Sequence, residues 1–363
     1  MRRVCILATV VILCPTIMVA QTTIEGATVT VTNKVGYVFH GGDGEPPTSA
    51  LIEDKAGNLY GTASSGGFGF GVVFKLDIAH QASVLHAFSG PDGRFPHGSL
   101  VSDRLGNLYG TTSYGGAYDL GTVFKIDPNG RETVLHSFTG SPEGRNPYAG
   151  LVMDAGGNLF GTTEFGGTSD LGTIFEIDAI GRQQVLHNFT GDSTDGSGPK
   201  AGLIVDSVGN LYGTTFAGGA DGRGTVFRFD TKKNTEDVLY NFSGGSDGGN
   251  PLGGITRAND GTLYGTAGFG GRAPHHGCCK PPPAGAGVVF SLTGTTENVL
   301  YSFTGGVDGG VPSGDLVLSN GVLYGTTQLG GPGHHGTAFS LNLADGVETV
   351  VHGFTGKTAG GIR

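Results

Sequence analysis

The sequence predicts an all-β fold, a six-bladed β-propeller with four antiparallel strands per blade, and three observations predict it. Leu-Tyr/Phe-Gly-Thr blocks start at Leu59, Leu108, Leu159, Leu211, Leu263 and Leu323, with spacings of 49, 51, 52, 52 and 60 residues. Each copy breaks into four short runs rich in β-branched and aromatic residues, bounded by Gly, Asp, Asn or Pro. No copy carries a helical period over a useful length. Repeats of this size mean one supersecondary unit stacked until its copies cover one another, and four strands per copy fit a propeller blade. A β-solenoid is the competing architecture, but its turns generally repeat every 20 to 30 residues or so.

Taken in chain order, Arg2 and Arg3 precede an apolar stretch from Val4 to Ala20, which Pro15 interrupts and a small residue ends. This predicts a secretory signal peptide over residues 1–20 and a secreted protein, periplasmic or extracellular, with no membrane span after cleavage. An uncleaved anchor is the alternative; the run sits near the lower limit of about 17 residues for a spanning helix, and Pro15 argues against it. Cys14 follows Leu13 rather than a small residue, which disfavours lipid anchoring.

Residues 21–36 form a lead-in and 37–356 the propeller, followed by a tail over 357–363. The third copy shows the pattern: strands at Ala149 to Asp154, Asn158 to Thr163, Gly172 to Asp178 and Gln184 to Phe189, with turns at Ala155-Gly-Gly157 and after Asp178. A glycine recurs in every second strand (Gly61, Gly110, Gly161, Gly213, Gly265, Gly325), and the expected reason is close approach of a neighbouring sheet. Residues 37–51 align without gaps onto 86–100, so the copies begin inside a fourth strand. Phe39, Phe88, Phe138, Phe189, Phe242, Phe303 and Phe354 then give seven fourth strands against six of the others. One terminal copy completes the last blade, and the expectation is an extra N-terminal strand, Val29 to His40, closing the ring, with Val347 to Phe354 displaced or added at the edge.

The chain has 363 residues, 71 of them glycine, and a formal net charge of −10. Without residues 1–20 it keeps 19 basic against 31 acidic residues, a net −12 that argues against nucleic acid as a partner. Cys5 and Cys14 lie in the signal, leaving Cys278 and Cys279, so no disulfide framework holds the fold. One continuous repeat domain, acting as a monomer, is expected.

The Pro-x-x-Gly-Leu-x-x-Asp-x-x-Gly-Asn-Leu-Tyr order at 147–160 and 199–212 resembles the start of an NHL propeller repeat. The fuller Leu-Tyr-Gly-Thr-Thr, Gly-Gly, Gly-Thr-Val-Phe pattern resembles the GloVer tandem-repeat family of secreted bacterial proteins, over nearly all of the chain. That resemblance implies the fold and secretion and lends no catalytic residues. Some members carry a C-terminal anchor; the last residues here, Gly-Gly-Ile-Arg363, argue against one.

In a four-stranded blade the second-to-third loop and the loop to the next blade share a face, and both are long and glycine-rich here. That face is the default binding surface. Tyr114, Phe165 and Phe269 occupy the slot before Gly-Gly in their loops, with Leu329 in the sixth copy, and Asp119, Asp170 and Asp221 lie further along. Flat rings beside carboxylates suit carbohydrate stacking; the alternative is that the rings plug the loop bases. The interblade acids Asp43, Asp92, Glu143, Asp195, Asp247 and Asp308 could hold a divalent cation, but Asp beside Gly first of all makes turns by bonding its own backbone.

His86, His136, His187 and His352 share one strand position, which Tyr240 and Tyr301 fill elsewhere. Blades hold them apart, so the expected role is a packed ring with a hydrogen-bonded tip. His275, His276, Cys278 and Cys279 sit in an insertion in the fifth loop, with His334 and His335 in the sixth. Zinc or copper is one reading of the insertion. A strained Cys278–Cys279 disulfide is the second, since consecutive Cα atoms sit about 3.80 Å apart, and an ordinary loop the third. No nucleophile elbow, phosphate loop or zinc-protease helix occurs. The expected function is a secreted or cell-surface binding module for a glycan, peptide or extracellular protein, more readily than an enzyme. A propeller enzyme (polysaccharide lyase or metal-dependent hydrolase) and a structural spacer are the alternatives.

Overall fold

The computed structural model describes residues 49–271 and 285–355, and the backbone of three further segments, Ile6–Val10, Thr16–Glu25 and Thr28–Val38. The fold class is the six-bladed β-propeller, and no helix occurs among the described residues. Contacts group the chain into two compact units, Met1–Gly140 with Arg145–Leu151, and Ser141–Gly144 with Val152–Arg363.

The first unit carries two blades. Their strands, in chain and sheet order, are Ile52–Glu53, Leu59–Ala63, Val72–Leu76 and Ala82–Ala87, then Val101–Ser102, Leu108–Thr112, Thr122–Ile126 and Glu132–Ser137. The second unit carries four. They run Val152–Met153, Leu159–Thr163, Thr173–Ile177, Gln183–Asn188; Ile204–Val205, Asn210–Thr215, Thr225–Asp230, Thr235–Asn241; Thr256–Arg257, Leu263–Ala267, Val288–Thr293, Thr296–Ser302; and Val317–Ser319, Val322–Leu329, Thr337–Asn342, Glu348–Gly353. Second and third strands are buried on both faces because other sheets cover them, whereas fourth strands are half-exposed edges.

The second-strand glycine has a different cause from the one expected. It stands directly opposite the third-strand phenylalanine of its own sheet, as in the pairs Gly61↔Phe74, Gly213↔Phe227 and Gly265↔Phe290. The ring folds back over the missing side chain: a Cβ on Gly213 would lie 2.6 Å from Phe227 Cζ and 2.8 Å from Leu203 Cδ2. The partner is therefore within the blade, an aromatic filling the space a strand glycine leaves open.

Between blades the fourth-strand phenylalanine meets the next blade's third-strand ring edge to face. Centroid separations are 5.1 Å for Phe88 and Phe124, 5.4 Å for Phe189 and Phe227, 5.2 Å for Phe242 and Phe290, and 5.0 Å for Phe303 and Phe339. Buried cores form around these pairs, for example Val73, Phe88, Leu100, Leu108, Phe124 and Ile126. Close approach of whole backbones does occur, but nearer the chain's entry to each first strand: a Cβ on Gly98 would lie 2.4 Å from the Gly150 nitrogen, and one on Gly253 2.6 Å from the Gly314 oxygen.

Every fourth strand carries a bulge. Val73 pairs His86 while Phe74 pairs Val84, so Leu85 is the extra residue, and the same shift recurs in all six blades. The bulge adds twist and redirects the end of the strand, so that Leu85 and Phe88 both join the core against the next blade.

The sixth sheet corrects the expectation of N-terminal closure. Its fourth strand is Glu348–Gly353, paired with Thr337–Asn342, while Thr28–Val38 pairs Thr16–Glu25 in a separate three-stranded sheet. His40 lies outside the described residues. A hairpin closed within a few residues costs less chain entropy than recruiting a segment some three hundred positions away.

Gly213→Ala should lower unfolding free energy by about 1–3 kcal/mol through overpacking against Phe227. Gly202→Ala, where a Cβ meets nothing within 4 Å, should stay within about 0.5 kcal/mol of the parent. Urea midpoints at unchanged slope check both.

Candidate functional site

The long-loop slots come first. In the second blade the last second-strand threonine, Thr112, donates to the Tyr114 carbonyl at 2.8 Å, and Tyr114 exchanges backbone hydrogen bonds with Arg94 of the interblade loop (2.8 and 3.2 Å). In the third blade Thr163 donates to the Phe165 carbonyl at 2.9 Å; in the fifth, Phe269 exchanges hydrogen bonds with Gly249 (2.9 and 3.1 Å). The backbone under each ring is thus fixed while the residues as a whole are 43%, 38% and 39% exposed for Tyr114, Phe165 and Phe269. Leu329 occupies the exposed slot of the sixth blade, over a carbonyl that Thr327 holds at 3.1 Å.

The loop carboxylates divide into two kinds. Asp119 and Asp170 adopt left-handed backbone angles (φ 58° and 59°) and accept the N–H of Gly115 at 2.9 Å and of Gly166 at 2.8 Å. Aspartate tolerates that conformation because its short side chain bonds locally. Asp119 also receives Arg94 in a two-pronged pair (3.0 and 2.6 Å), and the guanidinium lies 5.3 Å from the Tyr114 ring centre. In the fourth blade Gly222 takes the left-handed position (φ 69°), so the neighbouring Asp221 is exposed. Lys200 pairs with Glu164 at 3.3 Å and lies 4.5 Å above the Phe216 ring. His334 and His335 are exposed, whereas His275, His276, Cys278 and Cys279 lie outside the described residues.

Four of the six interblade acids, Asp92, Asp195, Asp247 and Asp308, make turns, while Asp43 lies outside the described residues. Asp92 accepts Ser89 N–H at 2.8 Å and Asp195 accepts Thr190 N–H at 2.8 Å; Asp247 and Asp308 bind Ser243 and Thr304 in the same way. They also meet the recurring strand histidine or tyrosine. His86 Nε2 lies 2.9 Å from Asp92, His187 Nε2 3.1 Å from Asp195, and Tyr240 and Tyr301 donate to Asp247 and Asp308 at 3.1 Å. Each of these rings also packs edge-on against the phenylalanine two residues on, at 4.9 to 5.2 Å. The expected packed ring with a bonded tip is present.

Sequence reasoning missed the third member of each cluster. The first or second residue of the next blade's fourth strand is Glu132, Glu236, Glu297 or Glu348, and these carboxyls approach the same aspartates. His86, Asp92 and Glu132 place one ligand atom each within 4.8 Å of one another, as do His187, Asp195 and Glu236. Burial, with the aspartate's charge second, pushes all four glutamates up to about 7. The signal in the sequence was the recurrence of Glu or Gln at this position, Gln183 included.

A raised carboxyl makes the folded state hold a proton that the unfolded chain releases near pH 4.5. Its stabilising share is complete below about pH 4.5 and is lost as pH climbs to about 7. Glu297→Gln should therefore raise unfolding free energy by about 1 kcal/mol at pH 8, after allowance for solvent screening of a half-exposed group, and change nothing at pH 4. Denaturant titrations at the two pH values check this.

No curated protein matches the chain. Among solved structures, a candidate 6-phosphogluconolactonase from Bacteroides fragilis NCTC 9343 superposes with a TM-score of 0.56 at 18% identity, over 95% of this chain and 93% of its own. Another from Bacteroides uniformis ATCC 8492 gives 0.57 at 14% identity, over 95% of each. A Mycobacterium tuberculosis puromycin-hydrolyzing peptidase gives 0.54 at 11% identity, over 98% of this chain and 54% of its own. At such identities the likeness is one of fold alone. Two tandem matches to the Gloeobacter/Verrucomicrobia repeat, over residues 18–207 and 192–363, span all six copies, and the chain belongs to that repeat family.

Proposed function

We propose that the protein is a secreted binding module that presents its second-to-third loops to a glycan. The observation that carries this reading is the half-exposed ring at one equivalent slot in three blades, each seated on backbone already fixed by hydrogen bonds. A flat aromatic face offers a large contact area at little cost in ordering, because the loop beneath it does not have to rearrange on binding. Arg94, Asp119, Lys200 and Glu164 stand near these slots and supply the few polar groups that orient a ligand.

A glycan array probed with the full chain tests this. Retention of a defined glycan, weakened at least about tenfold by Tyr114→Ala or Phe269→Ala with the fold intact, is the expected result; that corresponds to about 1.4 kcal/mol per ring. Equal retention by the variants would remove the aromatic slots from the reading. A second reading, hydrolysis of a sugar lactone, rests on the likeness to the two Bacteroides structures, and turnover of 6-phosphogluconolactone would establish it.

Secretion belongs to the same proposal. The mature protein recovered outside the cytoplasm should begin at Gln21, and N-terminal sequencing checks it; a start at Met1 would overturn the signal assignment.

A further inference from the structure

We propose that two of the seams between consecutive blades are divalent-cation sites, one formed by His86, Asp92 and Glu132 and the other by His187, Asp195 and Glu236, with Zn²⁺ the ion of best-matched chemistry. The inference is independent of the loop face and of its ligand.

Three observations carry it. First, one nitrogen and two carboxylate oxygens come within 4.8 Å of one another in both clusters. Tetrahedral zinc with ligands at about 2.0–2.2 Å holds its donors about 3.4 Å apart, so the widest pair closes in by up to about 1.4 Å when the ion binds. One imidazole with two carboxylates is an intermediate ligand set, suited to zinc and its first-row neighbours rather than to a cation that demands oxygen alone. Second, Oε1 of Glu132 and of Glu236 is buried without a hydrogen-bond partner. An unpaired buried oxygen keeps its desolvation cost uncompensated, and an ion between it and the aspartate would relieve it. Third, the cluster occurs twice with the same construction: a bulge that aims the histidine, a turn aspartate fixed by the backbone N–H of Ser89 or Thr190, and a glutamate from the next fourth strand.

The protein also contains its own control. At the next two seams Tyr240 with Asp247 and Glu297, and Tyr301 with Asp308 and Glu348, repeat the geometry with a phenol where the imidazole would stand. Glu297 and Glu348 have the same unpaired Oε1, so that feature belongs to the seam in general. What singles out the two proposed sites is the nitrogen donor. A neutral phenol whose proton is held by burial and a nearby carboxylate is a poor ligand at neutral pH, and these seams remain hydrogen-bonded contacts. For histidine to ligate through Nε2, that nitrogen gives up its hydrogen bond to the aspartate and the ring carries its proton on Nδ1.

The test uses the full chain freed of metal, dialysed against Zn²⁺, with bound metal counted by elemental analysis. His86→Tyr and His187→Tyr install the residue that two other seams already use, so folding is preserved; melting temperatures in a chelator, matching the parent, verify that. The parent should bind two more Zn²⁺ per chain than the double variant, and each single variant should lose one. Added Zn²⁺ should raise the melting temperature of the parent and leave the double variant unchanged once ions held elsewhere are common to both. Equal zinc content in parent and double variant overturns the proposal, and a single variant that loses no ion overturns it for that seam.

Discussion

Blades one, three, four and five each depend on an aromatic ring that they cannot shelter by themselves. The fourth-strand phenylalanine projects past the edge of its own sheet and reaches a buried position only against the third-strand phenylalanine of the following blade. That second ring is in turn pressed down over a glycine, so the chain of contact runs from fourth strand to third strand to second strand at the seams onto Phe124, Phe227, Phe290 and Phe339. A single blade of this kind cannot cover its own hydrophobic faces. Repetition supplies the missing cover, which is why the copies agree most closely at the positions that touch one another.

Polar groups at the seams follow from that arrangement. A histidine or tyrosine two residues before the phenylalanine is carried to the boundary with it, and its ring packs while its tip meets the turn aspartate. The glutamate opposite is brought into a partly dehydrated place beside a like charge, where its proton is held more firmly than in water. Loop slots and seams thus divide the polar chemistry of the molecule. Carboxylates of the loops hold loop backbone in shape, as Asp119 and Asp170 do, and those of the seams join one blade to the next.

Much of this was legible in the sequence. Strand positions, the phase of the repeat and the turn-making aspartates are all local properties, written in the order of a few adjacent residues. The bonded tip of His86 was also legible, since a polar ring in an apolar strand must find a partner. What escaped were pairings between distant positions. Glu132 lies 40 residues beyond Asp92, and nothing local marks it as that residue's neighbour. The second-strand glycine was recognised as a place of close approach, but which ring approaches depends on register, Gly213 against Phe227 rather than against another sheet. N-terminal closure was expected because two terminal copies of the fourth strand are alike in sequence; only pairing distinguishes them, and the copy nearer in the chain is the one the sixth sheet uses.

The second-to-third loops are closed by the sheet and not by their own contents. Their ends are the last register pair of two strands, Thr112↔Thr122 or Thr163↔Thr173, with the two hydroxyls at 2.7 and 2.8 Å. In the fifth blade the corresponding pair is Ala267↔Val288, spanning 20 intervening residues where Thr163 and Thr173 span 9. Closing the longer span costs only about 0.7 kcal/mol more chain entropy. Insertions at these points are therefore nearly neutral for folding, and natural selection can lengthen or rewrite one loop at a time on an unchanged frame. This gives the scaffold a capacity to diversify its loop surface without renegotiating its stability.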